Sequence, residues 1–381
     1  MASIIDFYRT HAFDPEGGFH HCLRDDGSVC APGPRHLVSS TRFVYLFSNG
    51  VRVLGDDSLR PLVRHALTYL THRHYRPDTD TFRWELSPDD NTAYAYGLAF
   101  VLLAGSAAVA AGEEDGRWAI ERAVAILERD FWEPDAGLYA DERGADGHEL
   151  APYRGQNANM HLCEAHIAAA EATGESAYLD RALRIAEAIT RRLPATTDGR
   201  IWEHYHADWS VDWEFHRDQP DDLFRPWGFQ PGHHAEWSKL LLQLNARRPQ
   251  EWLVPRAREL FEIAVSAGWD SEYGGLYYGF APDGSITSSD KYYWVQTEAI
   301  GAAALLHRET GESQYREWYT RLWEYSWQHL IDHRHGGWYR ILDRQNRPYS
   351  DLKSPPGKAG YHPVGACVAA LEAYSPASPQ D

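Results

Sequence analysis

Along the chain, apolar residues recur at i, i+3, i+4 and i+7 in two alternating sets of stretches, which predicts a protein built mainly of helices. One set comprises Ala2 to His11, Ser58 to Tyr75, Gly116 to Phe131, Ser176 to Arg192, Glu251 to Gly268 and Ser313 to Asp332. These are amphipathic, as in LDRALRIAEAITRRL from Leu179, and a helix with one charged side turns that side to solvent. The other set comprises Arg35 to Leu54, Asn91 to Ala111, Asn157 to Ala172, Gly232 to Asn245, Lys291 to Glu309 and Tyr361 to Ala373. It is more apolar and richer in small residues, as in EAIGAAALL from Glu298, and is read as an inner layer.

Between an outer and the following inner stretch lies a recurring motif of turn residues, often a glycine pair, followed by an aromatic or aliphatic run. It appears as DPEGGFHH from Asp14, PDTDTFRW from Pro77, EPDAGLYAD from Glu133, TTDGRIWEH from Thr196, DSEYGGLYYG from Asp270 and HRHGGWYRI from His333. At roughly 150 residues per domain the length suggests two or three domains, but an internal repeat overrides that prior. Six outer and six inner helices are therefore read as one (α/α)6 barrel domain over residues 1–381, with short β-hairpins at one end. An open helical solenoid is the alternative, since it also stacks helix pairs. Closure is favoured because each inner stretch brings polar groups to the same end.

Charge narrows the partners. The 381 residues carry 37 Lys plus Arg against 55 Asp plus Glu, a formal net charge of −18, which disfavours nucleic acid and anionic membranes. Gly97 to Gly112 is apolar but falls short of the roughly 20 residues that span a bilayer, so it is read as a buried helix. The N-terminus shows no secretory pattern. Cys22, Cys30, Cys163 and Cys367 are scattered and are expected to remain unpaired in a reducing cytoplasm. The sequence leaves monomer and homodimer equally open. The unusual composition lies in 15 Trp, 22 Tyr and 20 His, which supply rings for stacking on a sugar and for carrying protons.

Candidate chemistry gathers at the starts of the inner helices. Unit by unit these bring Arg42; Asn91 and Tyr96; Asn157, His161 and Glu164; His233, His234 and Glu236; Trp294 and Glu298; and Lys358 and His362. Asn157 and His161, Trp294 and Glu298, and His233 and Glu236 are spaced to share a helix face. A carboxylate one turn from an imidazole fixes its tautomer and raises its basicity, so Glu236 is the expected partner of His233. His233 and His362 are read as the proton-moving pair. His234, His20, His21, His333 and His335 are assigned structural roles, and Arg42 taken alone reads as an interior ion-pair partner for Glu298 or Glu236. Trp294 and Trp237 taken alone read as core. The coincidence of position in six units is what outweighs these plainer readings.

No metal is expected: neither HHAE nor NMHLCE has the HExxH form of a zinc helix, and His204 and His206 lack an evident third ligand. The insert Trp202 to Gln230 either caps the pocket or fills a surface hairpin. A glycosidase would need a pair of acids flanking the sugar, whereas histidines dominate here. Imidazole, titrating near neutrality, suits proton shuttling on a sugar carbon.

With PGHHAEW (231–237), KYYWVQTEA (291–299), the NxxxHL of Asn157 to Leu162 and the YHP at 361–363, the chain resembles the N-acylglucosamine 2-epimerase superfamily over essentially its whole length. That superfamily includes cellobiose 2-epimerases and aldose-ketose isomerases. The resemblance implies an (α/α)6 barrel and catalytic histidines at His233 and His362. It implies a third histidine, linked to ring opening and binding, at His161. It implies substrate binding by Arg42, Tyr96, Asn157, Glu236, Trp294 and Glu298. The PGHHAEW form is more similar to the isomerases, which implies interconversion of D-mannose and D-fructose, a monosaccharide substrate and no cofactor. A sugar 2-epimerase using the same two histidines is the alternative. No nucleotide-binding glycine loop is present, so nucleotide regulation is not implied.

Overall fold

The computed structural model describes residues 1–87, 92–144 and 150–375. Its helices alternate as the pattern requires. The outer ones are α1 (Ala2–His11), α3 (Arg60–Tyr69), α5 (Gly116–Asp130), α7 (Ala177–Glu187), α9 (Leu253–Gly268) and α11 (Ser313–His329). The inner ones are α2 (Leu37–Leu54), α4 (Ala95–Ala110), α6 (Gln156–Thr173), α8 (Pro231–Arg247), α10 (Tyr293–Thr310) and α12 (Tyr361–Tyr374). Inner helices pack side by side in chain order, and α12 returns to α2, so the ring closes into an (α/α)6 barrel. The open solenoid is thereby excluded.

Local chemistry explains the helix ends. Gly55, Gly174 and Gly311 take positive φ just beyond α2, α6 and α10, the left-handed stop that glycine adopts without a Cβ clash. Pro231 occupies the first turn of α8, where no N–H is needed. The stretch at 97–112 is a buried part of the inner ring, and among the described residues no helix is long and apolar enough to cross a membrane. The expected helix start at Asn91 lies outside the described residues; α4 begins at Ala95.

Short antiparallel pairings join every unit to the next at one end of the barrel. The segment before each inner helix pairs with the loop of the following unit: His36 with Glu85, Ala93–Tyr94 with Glu142–Arg143, and Arg154–Gly155 with His204–Tyr205. Phe229 then pairs with Phe280, Lys291–Tyr292 with Ile341–Leu342, and Leu352–Ser354 with Leu23–Arg24 of the first unit. This belt completes the closure that the repeat foretells.

Four hairpins also carry one staple in common. An acid at the turn binds a base 21 residues on: Asp14 with Arg35, Glu133 with Arg154 at 2.6 Å, Asp270 with Lys291 at 3.1 Å and Asp332 with Lys353 at 2.7 Å. Lys291 and Lys353 additionally donate to glycine carbonyls of their hairpins. Amide side chains of inner helices clamp the same hairpins. Asn159 accepts from Tyr139 N–H and donates to its carbonyl, and Gln296 does the same to Leu276. These bonds fix where α2, α6, α10 and α12 begin, and so where their pocket residues stand.

The cysteine expectation needs correction. Leu23 and Val29 form a bridge that turns the chain back on itself, bringing the Cα atoms of Cys22 and Cys30 to 5.3 Å, and the two are joined by a disulfide. Cysteine spacing therefore gives no argument for a reducing compartment.

Candidate active site

The first turns of the inner helices open into a cavity lined by Tyr96, Asn157, His161, His233, Glu236, Trp294, Lys358 and His362, with Tyr278 from a neighbouring hairpin. Leu223, Phe224 and Pro226 of the long insert cover it, so this segment caps the pocket. It is held down by Tyr278 Oη donating to Asp222 O at 2.9 Å and by His204 Nε2 meeting Pro226 O at 2.9 Å. That bond also keeps His204 in a structural role, while His206 is exposed beside Asp212.

His233 and His362 both pack against Trp294, with ring centroids 5.0 and 5.7 Å from the indole. Each directs Nδ1 to a buried carboxylate. His233 Nδ1 meets both oxygens of Glu203 at 2.9 Å, and His362 Nδ1 meets Glu298 Oε1 at 2.7 Å. A carboxylate only accepts, so each Nδ1 carries the proton and each Nε2 is left for the cavity. Glu203 also accepts from Gln156 Nε2 at 2.9 Å, a nitrogen equally 2.9 Å from His233 Nδ1, and Gln156 Oε1 accepts from the buried Trp237 indole N–H at 2.8 Å. The indole is a donor only, which fixes the amide with its NH2 toward Glu203. Burial would raise the Glu203 carboxyl, but the charge and hydrogen bonds of His233 and Gln156 outweigh it and hold it below the ordinary value. Burial, followed by the cations Arg42, Lys358 and Lys239 and by His161, pushes His362 well below the usual imidazole value.

The partner expected for His233, Glu236, stands elsewhere. Its nearest imidazole nitrogen among the ion pairs is His161 Nδ1 at 3.8 Å, and His161 also lies 3.4 Å from Glu164. Three positions along a helix align side chains broadly, but Glu203 reaches Nδ1 from the insert, a direction no spacing on α8 reveals. Burial drives His161 down to about 4, so it is a neutral imidazole. Glu236 is fully buried, and neither of its oxygens has a hydrogen-bond partner among the described residues. Burial, then repulsion from Glu298 and Glu164, raises its carboxyl well above the normal range, leaving a neutral acid able to donate.

Arg42 is not the ion-pair partner that it suggests in isolation: among the described residues no carboxylate lies within ion-pair distance of it. Its guanidinium packs over Phe100 and Tyr361, 4.4 and 4.7 Å from the ring centroids, donates to Gly357 O at 2.8 Å and reaches Tyr96 Oη at 3.4 Å. Asn157 donates to Phe224 O at 3.5 Å and leaves a buried Oδ1 without a partner among the described residues. Lys358 is brought down to about 7 by burial and by Arg42 and Arg340. His234 keeps its structural assignment, accepting from Ile201 N–H at 3.0 Å, as does His21, which accepts from His36 N–H.

Two donor triplets lie close enough to surround a cation: His161, Glu164 and Glu236, and Glu236, Glu298 and His362, each with ligand atoms within 4.8 Å. Lys239 already brings a positive charge there, its Nζ ion-paired to Glu298 Oε2 and 3% exposed. The candidate residues thus converge, with Asn91 outside the described residues. Glu203, Gln156 and Lys239 are additions.

A model of the N-acylglucosamine 2-epimerase (GlcNAc 2-epimerase) family matches residues 17–366. The D-mannose isomerase of Marinomonas mediterranea is 46% identical over 98% of this chain and 95% of its own length. A crystal structure of a D-mannose isomerase superposes with a TM-score of 0.95 at 45% identity, covering 97% of this chain and 96% of that one. The cellobiose 2-epimerase of Spirochaeta thermophila shares the fold, with a TM-score of 0.85 at 21% identity over 97% of this chain and 93% of that one.

Proposed function

The chain belongs to the N-acylglucosamine 2-epimerase family, and from that membership we infer that it is an aldose-ketose isomerase interconverting D-mannose and D-fructose. The observation that carries the chemistry is the pair of imidazoles packed against Trp294, each with Nδ1 tied to a buried carboxylate. Two fixed tautomers present two Nε2 atoms to one cavity, an arrangement suited to moving a proton between adjacent sugar carbons.

In this reading His161, neutral and beside the acid Glu236, assists opening of the sugar ring. One of the two histidines beside Trp294 then takes the C2 proton through Nε2, giving a cis-enediolate; that proton is returned to C1 while the O2 hydroxyl proton passes to O1, which leaves the ketone at C2. As the base becomes an imidazolium, its carboxylate partner stabilises the new charge. Glu236, protonated and without an internal partner, donates a hydrogen bond to an enediolate oxygen. Arg42 adds positive charge behind Tyr96, and donors aimed at developing negative charge are strongest in such a dry site. Trp294 stacks on the sugar, Asn157 and Lys358 hold its hydroxyls, and each acid–base step contributes on the order of 10²–10⁴-fold. The chain's own side chains supply every proton step.

A 2-epimerase is the second reading, favoured by the presence of two separately oriented imidazoles: one removes the C2 proton and the other, carrying a proton of its own on Nε2 beforehand, delivers that proton to the opposite face. The two share an intermediate and differ in product. Incubation with D-mannose is expected to give fructose as the dominant early product; glucose in that place would overturn the isomerase assignment.

A further inference from the structure

The two histidines beside Trp294 are backed in chemically different ways. Behind His233, Glu203 is held by the neutral amide of Gln156. Behind His362, Glu298 is shared: Oε1 faces Nδ1 at 2.7 Å, while Oε2 is ion-paired to Lys239 Nζ. Lys239 projects from α8 into the barrel interior, and Gly301 on α10 leaves room for its stem, since a Cβ there would stand 3.3 Å from Lys239 Cδ. A lysine buried this deeply needs a compensating anion, which Glu298 supplies directly, with Glu164 also close by.

We propose that Lys239 is a positioning residue for His362, its ammonium pairing with Glu298 and keeping that carboxylate aimed at Nδ1 so that Nε2 of His362 faces the substrate without a proton. The proposal rests on the reading of His362 as a proton carrier. The need for a cation follows from crowding. Glu298, Glu236 and Glu164 lie close together in a low-dielectric interior, where neighbouring carboxylates share protons unless compensated. A protonated Glu298 would turn an O–H toward His362, reversing the ring's tautomer: Nδ1 becomes an acceptor and Nε2 carries the proton. That ring can no longer take a proton from C2.

The groups facing His362 from the surrounding elements are Arg42 on α2, His161 and Glu164 on α6, Glu236 and Lys239 on α8, Tyr293 and Glu298 on α10, and Lys358 ahead of α12. Arg42, Lys358 and Lys239 all disfavour the imidazolium, but Lys239 is the one bonded to the carboxylate that orients the ring. Loss of its charge frees Glu298 from the ion pair that aims it at Nδ1 and removes one of the cations that disfavour the imidazolium, which moves the acidic limb of the pH profile upward.

The test compares Lys239→Met and Lys239→Arg on the full chain, with pH profiles of kcat for mannose-to-fructose conversion and His362→Asn as reference. Lys239→Met is expected to shift the acidic limb upward by at least one pH unit and to cut kcat at pH 7 at least tenfold, with Lys239→Arg restoring the limb. A parent-like profile in folded Lys239→Met beside an inactive His362→Asn would overturn the proposal alone. An active His362→Asn would overturn the functional reading beneath it. A readout that needs no variant is the 15N spectrum of the parent's histidines at neutral pH. The Nδ1–H tautomer at His362 is expected, and the Nε2–H tautomer would refute the proposal even if Lys239→Met does not fold.

Discussion

Replacing Glu203 with alanine isolates the contact that orients His233. The carboxylate is 3% exposed and accepts the Nδ1–H at 2.9 Å, so its removal leaves a buried imidazole N–H without its charged acceptor. A hydrogen bond to a charged group contributes about 1.5–3 kcal/mol. If that is fully expressed in the transition state, where the imidazole carries positive charge, kcat/KM falls about 10- to 150-fold, since each 1.36 kcal/mol is a factor of ten. Glu203→Gln keeps an acceptor without the charge, and a neutral bond is about half as strong, so it loses about 4- to 12-fold. The assay is the initial rate of fructose formation from D-mannose, with thermal unfolding recorded to show that the barrel is intact. The same carboxyl is held below its ordinary value in the fold. Its contribution to stability is therefore full above the unfolded value of about 4.3 and is lost as pH falls through the folded one, so the parent's stability advantage over Glu203→Gln shrinks on acidification below about pH 4.3. A folded Glu203→Ala within twofold of the parent would refute the reasoning.

Three further outcomes follow from the surrounding structure. Asp332→Asn breaks the buried staple to Lys353, which is 2% exposed, and is expected to cost about 3–5 kcal/mol by denaturant unfolding; a loss below about 1 kcal/mol would show that the staple is dispensable. Lys358 titrates near 7 in the fold against 10.5 ordinarily, so the unfolded chain holds more protons between those values and the parent gains stability as pH rises. The stability difference between the parent and Lys358→Met is expected to move in the parent's favour from pH 7 to pH 9, and a constant difference would contradict the burial argument. Exhaustive chelation is expected to leave isomerisation intact, because Lys239 already supplies positive charge amid the acidic triplets; a loss restored by a divalent ion would reassign those residues as metal ligands.

The helices were legible because apolar spacing depends only on which side of a helix is buried, and α1 through α12 fall within a few residues of that pattern. Barrel closure was legible for a similar reason: six units placing polar residues at equivalent positions imply one shared end. The belt of pairings and the acid–base staples were not, since a pairing such as Phe229 with Phe280 depends on how loops meet. That Tyr96, Asn157, His161, His233, Trp294 and His362 line one cavity was legible because each stands near the start of an inner helix; Arg42 and Glu298 stand on inner helices behind it. Glu203 escaped because it lies on an irregular insert, where no periodicity constrains direction; the repeat could have flagged it only as an acid two residues beyond the hairpin residue Ile201. Lys239 escaped because a lysine within an apolar helix gives no sign of which acids it meets. Spacing misled at Glu236, whose place three residues after His233 suggested a partnership that the tertiary structure gives to Glu203.

The central claim is that His233 and His362 together carry the proton between C2 and C1. It is tested most directly by measuring mannose–fructose interconversion in His233→Asn and His362→Asn, with folding verified for each. Both variants are expected to retain the barrel and lose turnover; sustained interconversion by either folded variant would contradict the claim.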